Sequence, residues 1–108
     1  MAYDERLAQR VRGALTGEEV TEKRMFGGIT FMLGDKMCVG VLKDDLVVRV
    51  GPDGYEEALA APHAREMDFT GRSLRGFVYV GPDGVQSDGD LETWVNLAVD
   101  FVKTLLQE

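Results

Sequence analysis

The sequence predicts an α+β fold: a two-layer sandwich in the order α-β-β-β-α-β-β-α, its largely antiparallel five-stranded sheet carrying the helices on one face. Three observations predict it. Apolar residues recur at a helical period near both ends of the chain, as Leu7, Val11 and Leu15 and again as Leu91, Val95, Ala98 and Val102. Between them lie β-branched runs of strand length, separated by turn signals short enough for hairpins. Three helices suffice to cover one face of such a sheet and leave the other to find its own cover.

The first helix is written in YDERLAQRVRGAL, where Ala8 and Ala14 flank the apolar stripe, Asp4 supplies the N-cap and Gly17 the stop. GITFMLGDKMCVGVLKDDLVVRVGPDG reads as three strands with hairpin turns at Gly34-Asp35 and Asp44-Asp45. YEEALAA is a short helix ended by Pro62. EMDFTGRSLRGFVYVGPDG adds two strands around a turn at Gly71 to Arg75. In the last helix Leu91, Trp94, Val95, Ala98, Phe101, Val102 and Leu105 share one wide face, read as core, and Asp88 or Asp90 is the expected N-cap. VGPDG occurs at Val50 to Gly54 and again at Val80 to Gly84, each time between a strand and a helix. Proline, aspartate and glycine in successive turn positions account for both copies, so the repeat reads as punctuation and not as duplication.

A chain of 108 residues is expected to form one domain spanning 1–108. Nineteen acidic against twelve basic side chains give a net charge of −7, which opposes attraction to nucleic-acid backbones and anionic lipid. Direct nucleic-acid binding is therefore not expected. The lone Cys38 forbids an internal disulfide, and MAYDERLAQR has no apolar leader, so a cytoplasmic protein without a membrane span is expected.

RMFGGI, Arg24 to Ile29, raises the question of a phosphate loop. Such a loop needs a helix directly behind it, whereas ITFML behind Gly27-Gly28 is strand-like. The two glycines are expected to allow a bend or a close backbone approach in the sheet. In order along the chain, KRMFGGITFMLGDKMCVGV, LVVRVGP, MDFTGRSLRGFVYV and DLETWV resemble the motifs of the N-terminal domain of the TfoX/Sxy family. The resemblance runs from about Glu22 to Phe101. It implies the same element order, akin to secretion-chaperone-like folds, and a protein-interaction module without catalytic residues. Longer members of the family regulate natural competence together with a cyclic-AMP-responsive transcription factor and carry a second, helical C-terminal domain. With Glu108 seven residues past Phe101, that second domain is not expected here.

Strand alternation places Ile29, Phe31, Leu33, Met37, Val39, Val41, Leu46, Val48 and Val50 toward the helices. The opposite face receives Met32, Cys38, Leu42 and Val47 with Arg49, which is too apolar for full solvation. Two readings stay open: a site for a protein partner or a second copy, or a face covered by the segment Val20 to Phe26 or by a loop. The candidate binding residues are Lys23, Arg24, Phe26, Gly27, Gly28, Met32, Leu42, Val47 and Arg49. The three cations, joined from the second half of the chain by Arg65, Arg72 and Arg75, could instead hold a small anionic metabolite. The duller account pairs each arginine with a carboxylate. Between Val80 and Asp100 there are five acidic residues and no basic one, so charge is polarised along the chain. Cys38 reads as a structural thiol, His63 as a solvated loop residue, and DGVQSDGDLE as cap chemistry and not a calcium loop. No metal site, cofactor or catalytic set is expected. The functional expectation is a non-enzymatic regulatory or adaptor domain working by protein–protein interaction, with the metabolite-binding domain as its alternative.

Overall fold

A computed structural model describes residues 3–25, 27–69 and 72–107, apart from the side chains of 25, 68, 69 and 72–74. At its start Asp4 bends the chain into a helix: its carboxylate accepts from the backbone N–H groups of Arg6 and Leu7 at 2.9 and 3.1 Å. Helix α1, Glu5–Ala14, then buries Leu7, Ala8 and Val11. Four strands follow as β1 (Val20–Met25), β2 (Gly28–Leu33), β3 (Lys36–Leu42) and β4 (Asp45–Arg49). Helix α2 (Gly51–Leu59) leads to the hairpin β5 (Ala64–Phe69) and β6 (Arg72–Val80). A 3-10 turn at Pro82–Val85 precedes α3, Asp88–Leu106. Among the described residues no helix is long and apolar enough to cross a membrane.

The class is α+β as expected, and the sheet has six strands instead of five, in the order β1-β2-β3-β4-β6-β5 with every pairing antiparallel. The extra strand, β1, pairs from Val20↔Leu33 to Met25↔Gly28. Its sequence hides it, because Thr21, Glu22, Lys23 and Arg24 are all exposed and no apolar alternation remains to be read. Charges along an outer strand discourage pairing with other chains, which is why such strands look like loops in sequence. The segment Val20 to Met25 thus extends the sheet in its own plane and does not lie over the second face.

Under the helices runs one continuous cross-strand layer. Ile29 and Val41, Phe31 and Val39, Val41 and Leu46, Val39 and Val48, Leu46 and Val80, Val48 and Val78 are cross-strand neighbours, none more than 4% exposed. Helix α3 lies over β3 and β4, α1 over β3 and against α3, and α2 over β6. Leu91, Val95, Ala98 and Val102 of α3 are buried against this layer, while Trp94 and Phe101 are only partly buried at its margin.

Three local expectations shift by a few residues. The hairpin turn after β3 is Lys43-Asp44, with Lys43 at φ +55°, which leaves Asp45 in β4 paired with Leu42. Strand β6 begins at Arg72 and so takes up Arg72 to Arg75; the turn at 70–71 lies outside the described residues. The N-cap of α3 is Ser87, whose Oγ accepts from the Asp90 N–H at 3.1 Å; Asp88 and Asp90 sit in the first turn, where their charge favours the helix dipole.

The two VGPDG copies adopt different backbones. Gly51 stands at φ +82° and opens α2, with Pro52 in the first turn. Gly81 stands at φ −69°, ψ 168° and precedes the 3-10 turn. A Cβ on Gly51 would lie 2.3 Å from the Phe101 ring, whereas one on Gly81 would meet nothing nearer than 3.8 Å. Gly51→Ala should therefore cost about 2–4 kcal/mol, from left-handed backbone strain and overpacking together. Gly81→Ala should cost less than about 1 kcal/mol, in the range of surface substitutions. Urea unfolding of the two variants checks the contrast.

Candidate functional site

The second face of the sheet is built by register. Lys23, Thr30, Gly40, Val47, Tyr79 and Arg65 form one row across all six strands. Gly40 leaves a hollow in the middle of that row, lined by Thr30, Met37, Leu42, Val47 and Met67. Thr30, Val47 and Met67 are no more than 4% exposed, although Val47 and Met67 stand apart from the main core cluster. The reason lies in the second hairpin. Its register jumps from Glu66↔Val78 to Asp68↔Ser73, so four residues of β6 stand opposite Met67 alone. That irregularity turns the hairpin and brings Met67 to the same hollow as residues of β2, β3 and β4. The second face is thus partly closed: Val47 is buried, and Met32 and Leu42 are half-buried.

A bulge corrects the alternation of β3. Pairing passes from Phe31↔Val39 to Met32↔Met37, leaving Cys38 as the extra residue. Cys38 accordingly joins the main core, fully buried, while Met37 lines the second-face hollow; the sequence reading had them the other way round. Burial pushes the Cys38 thiol up to about 12.

The expected cationic cluster is not assembled. Lys23 pairs with Thr30 and Arg24 with Ile29, so the two exposed side chains leave opposite faces of β1. Arg49 lies on β4, with β2 and β3 between, about 14 Å away at the usual strand spacing. It donates to the Met37 carbonyl at 3.3 Å and lies 5.3 and 5.8 Å from the ring centroids of Phe77 and Phe101. Arg65 is paired with Asp45 and stacked on Tyr79, and Arg75 reaches Glu56 at 4.0 Å. The side chain of Arg72 and all of Phe26 lie outside the described residues. Gly27, at φ +78°, forms the turn between β1 and β2; a Cβ on Gly28 would strike the Val41 carbonyl oxygen at 2.3 Å. The glycine pair serves a turn and a close approach of two backbones, as its sequence context predicts.

Two hollows meet on the helix layer at Trp94. One, of about 280 Å³, runs between α2 and α3 and is lined by Gly54, Glu57, Ala58, Ala61, Trp94 and Leu97. The other, of about 320 Å³, continues past Trp94 to Pro62, His63, Asp83 and Asp90. The small residues of α2 create the first by contributing almost no side chain. Leu97, 43% exposed, stands three residues past Trp94, off the buried arc of α3. Sequence reading missed this site by assigning Trp94 to the core; an apolar Leu97 outside that arc is the signal that could have found it. A larger hollow, about 530 Å³ between the start of α1 and the 3-10 turn, is polar; its Arg10 is held by the carbonyls of Val85 and Gln86 and by Asp88.

Compared with known proteins, the chain matches a family model described as TfoX N-terminal domain over residues 11–102. No curated protein and no solved structure matches it.

Two measurements follow from this geometry. Because the folded Cys38 thiol titrates near 12 and an unfolded one near 9, its contribution to stability is complete below pH 9 and is lost as pH rises toward 12. That loss should approach one proton's worth, about 1.4 kcal/mol per pH unit, and be absent from Cys38→Ala in denaturant titrations. Met67→Ala, which empties the cover of the second-face hollow, should cost about 2–4 kcal/mol in urea unfolding, as truncation of a buried methionine does.

Proposed function

The chain belongs to the TfoX N-terminal domain family, and from that premise we propose that it is a non-enzymatic regulatory or adaptor domain working by contact with another protein. The observation that carries the reading is the apolar ground at Trp94 and Leu97, where two large side chains stay accessible beside a groove their own fold does not fill. Exposed apolar surface beside aromatic residues suits a protein interface. The treatment of the reactive groups agrees with it. The single thiol is buried and held protonated, and Arg10, Arg12, Arg65, Arg75 and Lys103 are spent on carboxylates within the fold. Competence-related regulation and a cytoplasmic location belong to the same proposal. The spread of Lys23, Arg24 and Arg49 over opposite faces and several strands supports this reading over the metabolite-binding one.

The reading predicts that affinity capture after cross-linking in the source cells returns one protein, or a second copy of the chain, in stoichiometric amount. Recovery should survive nuclease treatment. A capture containing only the single-copy bait, or one abolished by nuclease, would overturn it.

A further inference from the structure

The channel at Trp94 has a floor and a rim of opposite character. Its floor is apolar: Ala58, Ala61, Trp94 and Leu97. Its rim carries Glu57 on α2 and Asp83 and Asp90 beyond Trp94, all three exposed. Among the described residues none of the three forms an ion pair, whereas their neighbours Glu56 and Asp88 pair with Arg75 and Arg10. The segments that build the site, 50–64 and 76–102, contain no lysine or arginine. They do contain Asp53, Glu56, Glu57, Asp83, Asp88, Asp90, Glu92 and Asp100. Cations at the borders of these segments are engaged with other carboxylates, Arg65 with Asp45, Arg75 with Glu56 and Lys103 with Glu18, and His63 is the titratable base that lines the hollow.

Resting on the protein-contact reading above, we propose that this groove docks a basic amphipathic segment of a partner protein. The segment seats an apolar side chain against Trp94 and Leu97 and turns its lysines or arginines to Glu57, Asp83 and Asp90. Charge complementarity selects the occupant. An acidic peptide or a nucleic-acid backbone would add like charge to a rim that already lacks counter-charges, whereas a basic segment gains from the same field. Length agrees with a short segment: α2 ends at Leu59, and its wall from Gly54 to Ala58 rises about 6 Å, one turn of a docked helix. So small a contact makes the binding transient, with Kd on the order of tens of micromolar at low salt.

Trp94 is the only tryptophan, so its emission reports the site directly. The probe is a 14-residue amphipathic helical peptide of lysine and leucine, titrated against the full chain. We expect a saturable shift of Trp94 emission that weakens with salt. Leu97→Glu should weaken it about tenfold or more, as loss of an apolar anchor does. Asp83→Asn with Asp90→Asn should weaken it about three- to fivefold at low salt and little at high salt. A glutamate–leucine peptide and a lysine–serine peptide of equal charge should fail to saturate. Leu97 is exposed, so an unchanged melting temperature shows that its variant keeps the fold. Removing remote charge by Glu19→Gln with Asp35→Asn should leave binding unaltered. The proposal is overturned if Leu97→Glu binds as well as the wild type, or if the remote pair weakens binding as much as the rim pair. A partner captured from cells and retained by Leu97→Glu would overturn the groove while the adaptor reading stands. Leu97-dependent peptide binding with an empty capture would support the groove and count against the adaptor reading.

Discussion

At one point of the molecule two backbones meet with no side chain between them, and much of the rest follows from that contact. Gly51, at φ +82°, lies against Gly76, at φ +96°, where the Val50 N–H donates to the Gly76 carbonyl at 2.8 Å. A Cβ on Gly76 would come within 3.4 Å of the Gly51 carbonyl carbon, and the Phe101 ring closes over Gly51 from α3. There β4 turns into α2, and β6 passes through the irregular stretch that redirects its hairpin. Arg49, two residues before Gly51, lies over Phe77 and Phe101 and completes the junction. Positive φ at both glycines lets the chain change direction twice in one place, which residues with a Cβ reach only under strain.

From that junction the two faces of the sheet acquire different fates. The redirected hairpin carries Met67 to the hollow left by Gly40 and gives the second face a small buried patch of its own. On the other face α2 lies over β6 and α3 over β3 and β4, and the gap between the helices stays open because Gly54, Ala58 and Ala61 line it. Packing thus partly closes the surface that strand alternation marks as a binding face and leaves open another that alternation does not register. Charge follows the same division. Arg12, Arg65 and Arg75 are held in pairs with at least one end on the sheet, Arg10 pairs with Asp88 and Lys103 with Glu18, while Glu57, Asp83 and Asp90 around the groove form no ion pair among the described residues.

The layers and the core were legible in the sequence because burial imposes periodicity on both helices and strands. Leu7 and Val11, Leu91 and Val95, Phe31, Val39 and Val48 are buried where their spacing places them. What escaped reading has particular causes. Strand β1 reads as a loop because Thr21 to Arg24 are exposed, while Val20 packs against the core and pairing with β2 holds the rest. Cys38 and Met37 exchanged places because one inserted residue reverses the parity of a strand, and nothing in MCVGV marks the insertion. Lys23, Arg24 and Arg49 share a composition but not a location, because adjacent residues of a strand leave opposite faces and two whole strands intervene before the third.

The repeated pentapeptide separates what each level decides. By itself the sequence determined that a strand ends and the chain turns at Val50 and again at Val80, because proline, aspartate and glycine restrict the local backbone wherever they occur. It determined the helix and strand periods and the excess of acid around Trp94 by the same local means. Only the tertiary structure decided that Gly51 takes positive φ and Gly81 does not. Glycine reaches either region at little cost, so the choice falls to what surrounds it: the Phe101 ring fills the place a Cβ of Gly51 would take, and nothing comparable stands at Gly81. The same reason governs the groove, since whether Trp94 is covered depends on where α2 lies, and that position is set by contacts between residues distant in the chain.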